Sequence, residues 1–330
     1  MGLIAVAIMS LAFGAMSIPF GDVVRISLGE IGLVDPGVVD PGQRGVLMGI
    51  RFPRTLLAIL VGGGLSVAGA LMQGLFRNPL ADPGLLGVSS GAALGAALII
   101  VLGTTLGLSA PWTLPVAAFG GAVISTLVVM RLSTVGSKTI VANMLLAGIA
   151  INAIAGAGTG LLVYLADDDQ LRDLTFWTLG SFGGASWADI RIGLLLIVVP
   201  TGFALFWSRT LNVMLLGESA AYMLGVSIQR LKQRIVVVVC VVVGCSVALS
   251  GMIGFVGLVI PHLCRLIFGP DNRKVVPASL FLGATLLLGA DLVSRLVIIP
   301  SELPIGIVTS VIGGPFFLVL LSSSRKKGLW

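Results

Sequence analysis

The segment SRTLNVMLLGESAAYMLGVSIQRLKQR, residues 208–234, is the longest polar interruption in a chain that is otherwise mostly apolar. A short helix-like stretch, 218–224, lies inside it between Gly217 and Gly225, and the segment ends with three basic residues, Arg230, Lys232 and Arg234. The apolar stretches on either side are long enough to be membrane helices. A single sizeable loop of this kind is expected to contact something outside the membrane.

The composition of the chain is that of a membrane protein. Hydrophobic residues make up 57% of it, charged residues only 10%, and the mean hydropathy is +1.11, whereas soluble domains carry about 25% charged residues. The alternating pattern of a membrane β-barrel is absent, so helices are the expected spanning elements. The 45 glycines suit close helix packing in lipid. The sequence therefore predicts an all-α integral membrane protein.

Ten segments come near the ~20 apolar residues that a membrane-spanning helix needs. They form one transmembrane domain, 1–330, and are 2–20, 54–76, 85–103, 113–131, 139–165, 189–207, 234–250, 254–268, 276–296 and 304–322. The eighth is the shortest and is interrupted by Pro261, so it is the segment least able to cross the membrane completely.

Basic residues are distributed unequally between the two sides of this arrangement. An even number of spans puts both termini on one side, together with the 208–233 loop and 13 of the 20 Lys and Arg residues. Because cytoplasmic loops carry the excess of Lys and Arg, this side is predicted to be the cytoplasm. The net charge of +6 is explained in the same way and needs no nucleic-acid partner.

The predicted helices contain no evident source of energy for transport. Ion-coupled carriers keep ionisable residues near the middle of the membrane, but Asp291 and Arg295 lie near the outer end of the ninth segment, where their spacing lets them pair. The stretch 136–139 resembles the end of a phosphate-binding loop, yet it lacks the upstream glycine and follows a spanning helix rather than a strand. We therefore expect neither an ATP site nor an enzyme activity in this chain.

The remaining chemically reactive residues are interpreted as structural. Cys240, Cys245 and Cys264 lie in apolar segments and are expected to be small buried hydrophobic residues. His262, beside Pro261, is expected to be packed and hydrogen-bonded rather than a ligand. No Cys or His cluster has the spacing of a metal site, so no metal or other cofactor is expected to bind.

The connection between the second and third predicted spans reads RNPLADPGLLGVSSGAALG (77–95), in which prolines, Asn and Asp favour a rigid turn. This segment resembles the hallmark of the permease subunits of ABC importers for iron chelates, haem and vitamin B12, the FecCD type. The likeness covers the chain from the second span to the end, through IRFPRTLLAILVGGGLSVAGALMQ (50–73), GFVGLVIPHLCRLIFGPDNR (254–273) and SELPIGIVTSVIGGPFF (301–317).

This resemblance implies a type II ABC importer permease fold, with ten transmembrane helices and short re-entrant or outer helices, in a bacterial inner membrane. The implied functional unit contains two copies of this chain, two cytoplasmic ABC ATPase subunits that use ATP and Mg, and a periplasmic substrate-binding protein. Haem or another iron chelate would pass between the two permease copies, which membrane lipid surrounds. The chain itself would be a transport subunit without its own ATP site.

The resemblance also implies roles for individual residues. In the family, the loop between helices six and seven docks in a groove of the ATPase, and the matching residues are Leu216, Gly217, Glu218, Ala220, Ala221, Leu224, Gly225 and Val226. Arginines that match Arg51, Arg54 and Arg295 meet acidic residues of the binding protein, where charge pairs set the docking register. The alternatives are a solvated loop helix for the first group and snorkelling at the membrane interface for the second.

The outer segment YLADDDQLRDLTFWTLGSFGGASW (164–187) is expected to form a short re-entrant or surface helix, and it looks most like the haem-importing branch of the family. Aromatic side chains here either line the substrate path or belong to the membrane-interface belt. The path and gate candidates are Phe176, Trp177, Phe182, Asn78 and Asn143. Haem is the favoured substrate, ferric siderophore or vitamin B12 are alternatives, and an ion-coupled secondary transporter is the alternative from a different class.

Overall fold

Helices dominate the structure, a computed structural model that describes residues 1–30, 32–33, 40–108 and 110–326. The end of the chain, 327–330, whose cytoplasmic position was predicted, lies outside the described residues. The helices of the first half are α1 (Gly2–Ala12), α2 (Phe20–Glu30), α3 (Pro41–Val46), α4 (Phe52–Phe76), α5 (Val88–Leu102), α6 (Thr113–Ser133) and α7 (Val141–Leu165). A π-helical turn, Leu47–Arg51, joins α3 to α4, so that Pro41–Phe76 forms one helix of 36 residues.

The second half continues the same architecture. Its helices are α8 (Asp168–Leu179), α9 (Trp187–Gly193), α10 (Val199–Met214), α11 (Glu218–Met223), α12 (Ile228–Ser250), α13 (Val256–Phe268), α14 (Asn272–Leu296) and α15 (Ile305–Lys326). A second π-helical turn, Leu194–Val198, joins α9 to α10. Within the described residues the only strands are β1 (Thr134–Val135) and β2 (Lys138–Thr139), an antiparallel hairpin between α6 and α7.

Among the described residues, six helices are long and apolar enough to cross a membrane, which supports a multi-pass membrane protein. They are Pro41–Phe76, Thr113–Ser133, Val141–Leu165, Trp187–Met214, Ile228–Ser250 and Asn272–Leu296. Four shorter apolar helices, Gly2–Ala12, Val88–Leu102, Val256–Phe268 and Ile305–Val319, each lie within one of the other predicted spans. The all-helical class is therefore confirmed. The helix that follows Tyr164 in the predicted outer segment is α8.

The first predicted span, 2–20, holds a helix of only 11 residues, α1, after which the chain is not helical until Phe20. The reason lies in the capping of its last turn. Arg51 Nη1 donates to the carbonyl oxygens of Leu11 and Ala12 at 2.6 and 2.8 Å. These two acceptors are among those that a helix end leaves without an intrahelical partner, so a distant cation ends α1.

Helix α4 occupies the centre of the bundle. In its most apolar window 83% of the residues are buried, a larger share than in the other five long helices. A Cβ added at Gly69 would overlap the carbonyl group of Gly257 in α13, and one at Gly62 would lie 2.5 Å from the carbonyl oxygen of Gly283 in α14. Glycines therefore set the distance between α4 and these neighbours, as is usual for helices packed in lipid.

Between α12 and α13 the backbone leaves the helical conformation at 251–255. Gly251 and Phe255 both have a φ of 69°. A cavity of about 440 Å³ adjoins this break and is lined by Asp82, Met252 and Phe255, among others. Non-helical backbone inside a membrane bundle is tolerated where it faces protein or a cavity. α13 has only 13 residues, and Pro261 lies inside it without ending it.

Candidate functional site

The predicted partner-contacting loop contains a six-residue helix held between two glycines. α11 starts directly after Gly217, whose φ is 103°, and Gly225, with a φ of 81°, follows it. A residue with a Cβ would be strained at both positions. The helix-like stretch expected within 218–224 is therefore present, and the glycines let the chain turn sharply at each end.

The outward face of this loop is apolar. Leu216, Tyr222, Met223 and Leu224 are 69%, 75%, 86% and 64% exposed. Four large apolar side chains together on one loop indicate a contact surface. Ala221, another of the residues predicted to contact an ATPase, is fully buried, and its role in docking stays a prediction. Tyr222 and Met223 were not among the predicted contact residues, although large apolar residues in a polar segment were a usable signal.

A buried lysine fastens α11 to the rest of the molecule. Lys232 Nζ lies 2.8 Å from Glu218 Oε1 and donates to the backbone carbonyl of Thr139 at 2.9 Å. The side chain of Gln229 accepts from the backbone N–H of Thr139 at 2.8 Å and donates to Thr139 Oγ1. These four residues join α11, the hairpin and the start of α12, and we call them the lysine cluster.

The other end of the loop is attached to the start of α14. Asn212 Nδ2 donates to Asp271 Oδ1 at 2.5 Å, and Asn212 Oδ1 accepts from the backbone N–H of Asn272 at 2.8 Å. The hydrogen bond from Asn212 is the main reason that the pKa of Asp271 is lowered, because it stabilises the carboxylate. The loop thus leaves the bundle and re-enters it at two hydrogen-bonded positions.

Four charged residues pair at the opposite end of the bundle. Arg54 Nη2 lies 2.9 Å from Asp291 Oδ1, and Arg54 Nη1 lies 2.8 Å from Glu302 Oε1. Arg295 Nε lies 3.1 Å from Asp291 Oδ2, an ion pair without hydrogen-bond geometry at Nε. This confirms the pairing expected from their spacing. Asp291 is therefore a fully buried carboxylate between two guanidinium groups.

The three arginines predicted to meet a binding protein are not at the surface. Arg51, Arg54 and Arg295 are 4%, 5% and 8% exposed, and partners within the chain occupy all three. Asp291 and the last turn of α1 supply internal acceptors, which a binding protein would have to displace to reach these guanidinium groups. The role of the three arginines in docking stays a prediction.

The predicted path and gate residues lie in different environments. Phe182 is 1% exposed within the main core, and its role in lining a path stays a prediction. Phe176, on α8, is 57% exposed, whereas Trp177 packs partly buried against the core. Asn78 is exposed, and its Oδ1 accepts from the backbone N–H two residues on, at 2.9 Å. Asn143 lies half-buried in the first turn of α7.

The three cysteines are buried and free, as predicted. His262 is 8% exposed and contacts Phe316 edge-on, with ring centroids 6.2 Å apart. Neither of its ring nitrogens has a hydrogen-bond partner among the described residues, so its packing is confirmed and its hydrogen bonding is not. The described part of the chain contains no group of three or more His, Cys, Asp or Glu residues that could hold a metal ion.

Comparison with known sequences extends over nearly the whole chain. The sequence profile of the FecCD transport family matches residues 2–323. The hemin transport system permease protein HmuU of Yersinia pestis is 45% identical over 283 residues, which cover 86% of this chain and 84% of that protein. The vitamin B12 import system permease protein BtuC of Escherichia coli O9:H4 is 42% identical over 281 residues, which cover 84% and 83%.

Comparison with solved structures gives the same answer. A metal-chelate type ABC transporter in an inward-facing conformation superposes with a TM-score of 0.85 at 31% sequence identity, and the match covers 98% of this chain and 96% of that chain. Agreement of this length in both sequence and fold goes well beyond a shared motif. This chain therefore belongs to the FecCD transport family.

Proposed function

We propose that this chain, a permease of the FecCD transport family, is the membrane subunit of an ATP-driven importer that carries haem across a bacterial inner membrane. The observation that carries the proposal is α11, a short helix between two glycines that presents exposed apolar side chains at one end of a membrane bundle. Such a surface fits a groove on a soluble ATPase. Docking there would couple this chain to hydrolysis in another subunit.

The proposed topology has ten membrane crossings with both termini in the cytoplasm. Six long apolar helices and four shorter ones correspond to the ten segments expected from the sequence. The excess of Lys and Arg on the side of the 208–233 loop supports this orientation. With this orientation, the apolar face of α11 points to the compartment that holds ATP.

The proposed assembly contains a second copy of the chain, two ATPase subunits and a periplasmic binding protein. Helix α7 supports the second copy, because only 22% of its most apolar window is buried within one chain. It exposes large apolar side chains along its length, among them Leu146, Ile149, Ile154 and Leu161. In this proposal the substrate path runs between the two copies, and Phe176 and Asn143 face it. Asn78 lies at its cytoplasmic end, and Trp177 packs behind the residues that line it.

The binding protein would approach the end of the bundle that carries the buried arginines. Glu302, with a side chain 44% exposed, is the surface member of that charge cluster. We infer that Arg51, Arg54 and Arg295 shape the docking surface from behind. Direct pairing of these arginines with the binding protein would require the cluster to open first.

The substrate preference rests on the likeness of 164–187 to the haem branch and on the similarity to a hemin permease. The chain is 45% identical to the hemin permease and 42% identical to the vitamin B12 permease. This difference is too small to choose between the substrates, so a measurement of uptake is needed. The chain would be reconstituted in liposomes with its ATPase and binding protein, and uptake of haem, vitamin B12 and a ferric siderophore measured. We expect ATP-dependent uptake of haem to be fastest. Uptake driven by an ion gradient alone would overturn the proposal. If vitamin B12 were taken up faster than haem, vitamin B12 would be the substrate instead.

A further inference from the structure

The lysine cluster joins three elements that the proposed function does not by itself connect. Its members are Glu218 on α11, Thr139 at the end of the hairpin, and Gln229 and Lys232 in the first turns of α12. Thr139 precedes Gln229 by 90 positions and Lys232 by 93. The hairpin is therefore far in the sequence from α11 and α12. Their meeting is a tertiary contact.

Burial makes this contact stiff. Lys232 is 3% exposed and Thr139 is 2% exposed. Removing the partner of a buried ammonium group strongly destabilises the folded protein, because water cannot replace the lost interaction. Glu218 is the exposed member, with a side chain 43% exposed. Glu218 and Lys232 are held together by an ion pair for which water cannot readily substitute. A movement of α11 is therefore passed on to Lys232.

The hairpin leads directly into a long membrane helix. Ile140, the residue after Thr139, is the N-cap of α7, and its backbone N–H donates to the Ser133 carbonyl at the end of α6 at 3.0 Å. Thr139 Oγ1 also lies 3.1 Å from Thr134 Oγ1 across the hairpin. A displacement of Thr139 would therefore move the first turn of α7 rather than be absorbed in a loose connection.

We propose that Lys232 is a positioning residue that transmits the movement of α11 to α7 through Thr139, in addition to the covalent connection from α11 to α12. The inference rests on the proposed function, in which an ATPase moves α11. On this basis one docking helix would drive two membrane helices, α12 and α7.

The test compares Lys232→Met with Arg230→Met in the complete importer in liposomes. Arg230 is the matched control, because it is an exposed cation in the same turn of α12 and forms no ion pair with any described residue. We expect Lys232→Met to bind the ATPase and to hydrolyse ATP, while haem transported per ATP falls about fivefold or more. Arg230→Met should retain the transport ratio. An unchanged ratio in Lys232→Met would overturn the inference.

A second variant, Glu218→Gln, tests the contact even if Lys232→Met does not fold. It keeps the bond between Lys232 and Thr139 and should lower the transport ratio by a smaller factor. The double variant should be no worse than Lys232→Met alone, because residues that act through one contact are not additive. Additive losses would contradict the proposed contact.

A distance measurement separates transmission from a merely structural role. Spin labels at Ser137 on the hairpin and Ser219 on α11, which border the same groove of about 880 Å³, should keep one distance through the ATP cycle in the unmodified chain. In Lys232→Met the distance should change on ATP binding. Failure of the ATPase to bind the unmodified chain would instead overturn the proposed function, so the two failures are distinguishable.

Discussion

Arg54 Nη2 lies 2.9 Å from Asp291 Oδ1, and this ion pair joins α4 to α14 through side chains that are 6% and 1% exposed. The two residues are 237 positions apart in the chain. Arg295 and Glu302 complete the cluster, so that two cations and two anions balance near one end of the bundle. A carboxylate as deeply buried as Asp291 would be very unfavourable without these partners.

Asp291→Asn should therefore destabilise the protein. It leaves two guanidinium groups buried with one fewer anion, which typically costs about 3–5 kcal/mol. The free energy of unfolding in mixed detergent measures this loss. Arg44→Gln is the control, because the Arg44–Glu30 pair has side chains 58% and 30% exposed and exposed pairs contribute at most about 1 kcal/mol. Equal losses in both variants would contradict the buried-pair argument.

The pairing within this cluster shows which contacts a sequence reveals. The contact between Asp291 and Arg295 was predictable, since residues four apart share one helix face. The contact between Arg54 and Asp291 was not, because only the packing of α4 against α14 brings them together. The assignment of Arg54 to a docking surface came from the family resemblance alone, which says nothing about how α4 packs against α14.

The loop beyond α10 shows the same division. The two glycines around 218–224 predicted a short helix, and α11 is present. Which side chains face outward depends on how α11 rests on α12, so the burial of Ala221 and the exposure of Tyr222 could not be predicted from the sequence. The contact of Lys232 with Thr139 was also beyond prediction, because the two-residue strands of the hairpin are too short to leave a pattern.

Gly69→Ala should weaken the packing of α4 against α13. The added Cβ would overlap the backbone carbonyl of Gly257, and overpacking of a close interface costs about 1–3 kcal/mol. Gly120→Ala is the matched control, since a Cβ at Gly120 in α6 meets nothing within 4 Å. The control should be neutral or slightly stabilising, because alanine favours a helix by about 0.5–1 kcal/mol. Thermal unfolding of both variants in detergent makes the comparison, and a stable Gly69→Ala would refute it.

Replacing Tyr222 and Met223 together by alanine should weaken ATPase binding at least about tenfold, since burying such a side chain contributes about 1.5–3 kcal/mol. Both side chains are exposed in the free chain, so its stability should not change. Affinity for the purified ATPase is the measurement. Ile124→Ala is the control, as Ile124 is 64% exposed on α6, away from the loop. Undiminished affinity in the double variant would remove α11 as the docking surface.

Asn212→Ala should change stability in a pH-dependent way. The hydrogen bond from Asn212 lowers the pKa of Asp271, and an acid with a lowered folded pKa adds stability above its unfolded pKa of about 3.9. This stability is lost as the pH falls through the folded pKa. The variant should therefore be less stable than the wild type above about pH 4, and the difference should narrow below it. Asn272→Ala is the control, because the bonds from Asn272 to Asn212 do not involve a titrating group. The free energy of unfolding is measured from below to above pH 4. A loss of stability in Asn212→Ala that did not vary with pH would contradict the assignment.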